Sequence, residues 1–182
     1  KYNLISPKNN TNMVGTISDA VTGNYLLGLK EISKEDADQL LYKSGITPSF
    51  NKKNIDGKEI ISAVLPKGVN YNGRSKNCLG KDCKSYENCR KGKCEHNAYI
   101  KIEDGEFISG KADKNTFSVE DGLLVKVMDK QVGRFETMKT IRDIFALGTN
   151  YLSNVGITIS VEDLDLNEEV VKAGEDVVKK AE

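Results

Sequence analysis

Along this 182-residue chain, apolar positions recur at helical spacing in several stretches and alternate in one. From Val14 to Leu27 they recur around Asp19, Gly23 and Asn24, which predicts a short helix interrupted by turns. Ser33 followed by Asp36 has the form of a capping box and opens a helix through Tyr42 that Gly45 ends. Asp56 caps a short helix over 57–65 with Ile60, Ile61, Val64 and Leu65 on one face, and Pro66 stops it. Residues 98–103 alternate through Tyr99, Ile100, Lys101 and Ile102. Asp104-Gly105 then separates them from Glu106-Phe107-Ile108, the signature of a type I′ hairpin.

In the C-terminal half, Ser118-x-x-Asp121 predicts a cap for a helix through about Lys130, with Gly122 inside it at a cost of about 1 kcal/mol relative to Ala. Phe135, Met138, Ile141, Phe145, Leu152 and Val155 then follow helical spacing, widened by Ile144, Leu147 and Tyr151. A helix over that span is roughly 31 Å long. Gly156 is its expected C′ residue, and the stretch 157–161 is β-prone. Asn167 caps a last helix with Glu168 and Glu169 at its start and Lys179 and Lys180 near its end, complementing the macrodipole. Val170, Val171, Val177 and Val178 share one face, which therefore expects a neighbour. Together these elements predict an α+β fold. Helices surround a small antiparallel β-hairpin or sheet, long helices fill the C-terminal half, and residues 72–97 form a Cys-rich loop excursion.

Composition narrows the function. The chain is lean in apolar residues (38%, mean hydropathy −0.47), and its 27 basic and 27 acidic side chains cancel, so a global nucleic-acid-type charge is absent. Residues 74–93 are nevertheless basic, and 162–169 are acidic. No apolar run approaches the roughly 20 residues of a membrane helix and no signal peptide is visible, which points to the cytosol. The start at Lys1 and the stop at Glu182 within a helical pattern are expected of a piece of a longer protein.

All four cysteines and the single histidine fall within nineteen residues: Cys78, Cys83, Cys89, Cys94 and His96. The spacing Cys-x4-Cys-x5-Cys-x4-Cys points to a structural zinc site, with His96 as an alternative ligand and the surrounding lysines offsetting the thiolate charge. Four residues between paired ligands is the loose limit for zinc, and free thiols or an opportunistic disulfide is the competing reading. The pattern matches neither common ferredoxin spacing, and four protein ligands leave no open position for catalytic zinc. A thiol redox protein would need a Cys-x-x-Cys pair, which is absent. Glu162, Asp163 and Asp165 have the spacing of a magnesium site or of acidic residues placed before a helix. Asp19 is either a buried, hydrogen-bonded carboxylate or a helix-start residue. No phosphate-binding glycine loop, nucleophile elbow or Ser/His/Asp set is present, so the residues describe no free-standing enzyme. An independent zinc-stabilised module, binding nucleic acid through its basic 74–93 loop, is the alternative reading.

Several words in order carry a resemblance. Leu4-Ile5-Ser6-Pro7, Met13-Val14-Gly15, Asp19, Gly23 and Tyr25-Leu26-Leu27 form the first group. Lys58-Glu59-Ile60-Ile61-Ser62 through Leu65-Pro66 follows, then Asp104-Gly105-Glu106-Phe107-Ile108-Ser109-Gly110 with Asp113-Lys114, then Gly122-Leu123-Leu124, Gly156 and Asp163. Over roughly residues 4–180 this resembles the pore segment of the largest subunit of multisubunit DNA-directed RNA polymerases, closest to the archaeal A′ type. Ser18 stands where that family has Gln, Gly28 where it has Thr, and no His follows the Gly-Leu-Leu word near Lys126. The family's aspartate-rich motif, which carries the catalytic magnesium, lies upstream of this region and is not among these residues.

The resemblance implies a pore domain over 1–165 and the start of a funnel helix over 166–182. It implies a scaffold under the active centre that guides nucleoside triphosphates inward and extruded RNA outward. Ser18, Asp19 and Gly23 would lie near that centre, and the catalytic magnesium would not be bound by this chain. The implied partners are other polymerase subunits, the RNA 3′ end and a transcript-cleavage factor, in an archaeal-type cytoplasm.

Overall fold

The computed structural model describes residues 3–48, 50–76, 78, 94, 96–119 and 122–181. In chain order the elements are α1 (Ser18–Leu27), β1 (Glu31–Ser33), α2 (Lys34–Lys43), β2 (Asn54–Asp56), α3 (Gly57–Ser62), β3 (Tyr71–Arg74), β4 (Tyr99–Glu103), β5 (Glu106–Ser109), α4 (Lys114–Phe117), α5 (Leu123–Gln131), α6 (Arg134–Val155), a 3-10 turn at Glu162–Leu164, and α7 (Glu168–Ala181). This is the α+β class. The sheets are small and antiparallel: β1 pairs with β2, and β3, β4 and β5 form a three-stranded meander. Strands β1, β2 and β3 are three or four residues long and carry no legible alternation. Residues 72–74, counted with the excursion in the sequence, are part of β3.

Local chemistry explains the elements that form as expected. Ser33 Oγ accepts from Asp36 N–H at the start of α2, and Asp56 accepts from Lys58 N–H at the start of α3. Gly45 N–H donates to Tyr42 O and Ile46 N–H to Leu41 O, the paired bonds that close a helix at its C-terminus. Asp104 (φ +48°) and Gly105 (φ +81°) both take the left-handed conformation that a type I′ turn demands. Asp104 Oδ1 also accepts from Gly68 N–H (2.7 Å), tying the hairpin tip to the loop after α3. Ser62 Oγ accepts from Phe107 N–H at 2.8 Å and so joins α3 to β5.

Four expectations are corrected. Helix α1 runs unbroken through Gly23 and Asn24, because both are buried where α1 packs along α6 rather than placed in a turn. Ser118 does not cap the helix that follows it. It ends α4 and its hydroxyl donates to Lys114 O, while α5 starts at Leu123 with Gly122 outside it at the N-cap position. Asp121 lies outside the described residues. Helix α6 buries Ile141, Ile144, Leu147, Tyr151 and Leu152, but Phe135, Met138, Phe145 and Val155 of the predicted stripe are exposed. The stretch 157–161 forms no strand and is exposed.

The main core joins Leu27, Leu40, Leu41, Ile55, Ile60, Ile61, Ile100, Ile102, Phe107, Phe117, Leu124, Met128, Ile144 and Leu147, each essentially solvent-free. Full burial of each such side chain is worth about 1.5–3 kcal/mol. A smaller cluster of Leu4, Val125 and Ile141 holds the N-terminal loop. Asn12 Nδ2 adds donations to Gly122 O (2.7 Å) and Ser118 O (3.2 Å). Helix α7 follows an exposed connection, and its Val170, Val171, Val177 and Val178 face solvent.

Candidate functional site

Two places in the fold gather the residues singled out by chemistry or resemblance. The first is the start of α1. Thr16 N–H donates to Phe117 O (2.8 Å), and Thr16 and Ser118 form a parallel bridge, so the strand leading into α1 lies beside the end of α4. Between them opens a cleft of about 510 Å³ lined by Thr16, Ile17, Ser18, Val21, Thr22, Lys114, Ser118 and Val119. Its wall combines three apolar side chains, four hydroxyl-bearing residues and one ammonium, with Thr16 and Ser118 almost wholly buried.

Ser18 opens the helix with φ +41°, a left-handed conformation that a non-glycine residue adopts at a cost. Asp19 stands exposed in the first turn of α1, where its charge complements the helix N-terminus; it is a helix-start residue, not a buried carboxylate. Gly23 does not line the cleft. It lies on the opposite side of α1, where a Cβ would stand 1.9 Å from Gly148 O. Asn24 secures the same crossing by donating from Nδ2 to Ala20 O (2.7 Å) and Ile144 O (2.9 Å). The three residues expected together therefore divide: Ser18 lines the cleft, Asp19 stands beside it, and Gly23 holds the helix that presents both.

The cleft roles of Lys114 and Thr16 and the helix-crossing role of Asn24 were not legible in the sequence. Lys114 was legible only as part of the Asp113-Lys114 word, and Asn24 looked like a turn residue. Lys111 Nζ lies 5.8 Å from the Tyr25 ring centroid, a cation–π distance that ties the loop after β5 to α1.

The second place is the base of the cysteine stretch. Cys78 and Cys94 are described and both are partly buried; Cys83 and Cys89 lie outside the described residues. Ser75 N–H donates to Ala98 O (2.9 Å), one step beyond the Arg74–Tyr99 pair of β3 and β4. Cys78 N–H then donates to Ser75 O, and Asn97 N–H to Cys94 O. Ala98 N–H donates to Cys94 Sγ at 3.3 Å. His96 is exposed in the turn between them. Among the described residues, no three His, Cys, Asp or Glu side chains gather as a metal site.

Asp113, 8% exposed, adjoins this base. Burial raises its pKa above the ordinary carboxylate range, partly opposed by hydrogen bonds from the N–H groups of Lys76 and Asn115. Tyr71, also buried, is pushed up to about 12 by desolvation first and by the nearby Asp113 charge second. The acidic run has a local explanation. Asp163 Oδ2 accepts from Ser160 N–H (2.8 Å) and Ser160 Oγ (3.1 Å), and these bonds lower its pKa. Glu162 and Asp165 are exposed beside it.

A family model described as RNA polymerase Rpb1, domain 3, matches residues 3–164, and the chain belongs to that family of the RNA polymerase largest subunit. The DNA-directed RNA polymerase subunit Rpo1N of Methanocaldococcus jannaschii is 32% identical over 98% of this chain and 14% of its own length. Rpo1N of Methanococcus vannielii is 29% identical over 98% of this chain and 20% of its own length. The human DNA-directed RNA polymerase III subunit RPC1 is 28% identical over 95% of this chain and 14% of its own. The chain thus spans a fifth or less of the length of these relatives.

Proposed function

We propose that this domain is a pore and funnel scaffold beneath the active centre of a DNA-directed RNA polymerase. It guides nucleoside triphosphates toward that centre and receives the 3′ end of backtracked RNA. The observation that carries this reading is the open cleft at the start of α1, where Lys114 stands with the hydroxyls of Thr16, Ser18, Thr22 and Ser118. An ammonium attracts phosphate as a point charge, and hydroxyls exchange hydrogen bonds with phosphate and sugar without selecting a base. That chemistry suits passage of any nucleotide.

Catalysis in this reading belongs to the whole polymerase, whose magnesium is held outside these residues; the chain alone performs no nucleotide addition. Its partners are the other polymerase subunits and a transcript-cleavage factor, in an archaeal-type cytoplasm. Exposed Phe135 and Phe145 on α6 and the valine face of α7 supply apolar surface for such neighbours.

The four cysteines are, in the same reading, the ligands of a structural zinc ion, with Cys78 and Cys94 at the base of the excursion. The donor set suits zinc, and the Ala98 N–H bond to Cys94 Sγ is the kind of support a thiolate ligand receives. Zinc there would cross-link the loop; it takes no part in chemistry.

The test is a polymerase whose largest subunit carries Lys114→Ala in this domain. Forward elongation at saturating nucleotide is expected to stay near normal, while factor-stimulated cleavage of backtracked RNA falls severalfold. Unchanged cleavage, or robust templated synthesis by the isolated chain, contradicts the proposal.

A further inference from the structure

The cysteine stretch begins and ends at a neck that a third segment grips from the side. After the Ser75–Ala98 bond, Cys78 follows on one limb and Cys94 precedes the other. The loop after β5 reaches both limbs. Gly110 N–H donates to Asn97 Oδ1 (2.9 Å) on the returning limb. Asn115 Nδ2 donates to Arg74 O (3.0 Å), and Asp113 Oδ2 accepts from Lys76 N–H (2.5 Å), both on the outgoing limb.

Asp113 is the informative member of this grip. Its Oδ1 accepts from Asn115 N–H (3.0 Å) and so caps α4. Ser, Thr or Asn caps a helix as well as Asp does, and α4 is only four residues long. Capping alone therefore does not account for a carboxylate held almost wholly out of water, where a charge is unfavourable. The second oxygen does what a hydroxyl cannot do at the same time. It makes a short, charge-assisted bond to the backbone of Lys76, two residues before Cys78.

We propose that Asp113 is the positioning residue of the cysteine centre. By fixing Lys76 it sets the path of the limb that carries Cys78, against the limb on which Cys94 already accepts the Ala98 N–H bond. This rests on the zinc reading above. A metal site assembled from a loop loses affinity when its ligands must be ordered at the moment of binding, and outer partners that hold them in place are commonly worth about 10–100-fold in affinity.

The experiment is zinc competition against a chromophoric chelator, with circular dichroism to follow folding, on this chain as wild type, Asp113→Ala, Asp113→Asn and Leu40→Ala. Leu40 is buried in α2, which packs on α6, β1 and β2 rather than on the neck, so Leu40→Ala weakens the fold without touching the grip. The expected result is stoichiometric zinc in the wild type and about 10–100-fold weaker binding in Asp113→Ala. Asp113→Asn keeps an acceptor for Lys76 and recovers most of the affinity. Leu40→Ala keeps wild-type affinity even where its melting temperature is lower. Equal affinity in wild type and Asp113→Ala overturns the proposal alone, as does an equal loss in Leu40→Ala. A wild type that takes up no zinc overturns the metal reading and this proposal with it.

Discussion

Replacing Gly23 with Ala tests the account of how α1 is held. In an unconstrained helix interior the change stabilises by about 1 kcal/mol, because Gly is the poorer helix former. Here the new Cβ would stand 1.9 Å from Gly148 O and 2.6 Å from Gly148 C, atoms of the α6 backbone that cannot rotate aside. The helices must part. Overpacking of this kind costs about 1–3 kcal/mol. Parting also loosens the Asn24 Nδ2 bond to Ile144 O, and a buried donor left without its acceptor costs about 1–3 kcal/mol more. Set against the gain in propensity, the net destabilisation is about 3 kcal/mol. For a chain of this size that lowers the melting temperature by roughly 6–12 °C. Thermal unfolding followed by circular dichroism reads it directly. Gly174→Ala in α7, where a Cβ meets nothing within 4 Å, is the control and should lose no stability. A Gly23→Ala chain as stable as wild type, or more so, would refute the close crossing, because the sign itself is predicted.

Three further outcomes concern β3 and the neck. Tyr71 OH is buried and has no hydrogen-bond partner among the described residues, so Tyr71→Phe should leave stability unchanged or raise it by about 1 kcal/mol. The same burial sets an alkaline response. The folded state keeps the Tyr71 proton up to about pH 12 while the unfolded state releases it near 10, so the wild type loses stability as pH rises across that window and the Phe variant loses less. Denaturant titrations of both proteins at several pH values check this, and parallel curves would contradict it. Asp113 has the same sign at acid pH. Its folded pKa is raised above 3.8, so the folded state binds the proton more tightly, and stability falls as pH rises through that raised value. The wild-type minus Asp113→Asn difference in unfolding free energy should therefore decline with rising pH above 3.8. A difference that grows would show the carboxylate to be stabilised by ionisation.

Much of the fold was legible because its signals are local. Ser33, Asp56 and Gly45 act within a few residues of themselves, and Asp104-Gly105 can build little other than a tight hairpin. Gly23-Asn24 misled because a turn and a close helix crossing call for the same residues. The first needs backbone freedom, the second needs no side chain and a short donor, and only the partner helix decides. Ser118 misled in the same way: its hydroxyl donates to Lys114 O in the preceding turn, and the next helix starts only at Leu123. On α6, polar Thr137 and Thr140 face inward and Phe135 outward, so hydropathy alone found the middle of the buried face but not its edges. Strands β1 and β3 owe their existence to partners far along the chain.

The cleft was half legible. Ser18 came from resemblance, but Lys114 joins it only through the Thr16–Ser118 bridge, which no spacing announces. Asp113 was visible as a word and not as a grip, because its two acceptor roles lie on opposite sides of the hairpin in sequence.

The central claim is that nucleic acid passes the start of α1. The most direct measurement places a photoreactive base at the 3′ end of RNA in a backtracked polymerase that carries this domain, and maps the crosslinked peptide. Crosslinks to residues 16–22 or 114–119, lost on moving the RNA forward, are the predicted result. Crosslinks confined to other parts of the polymerase, with these two peptides unlabelled, would contradict it.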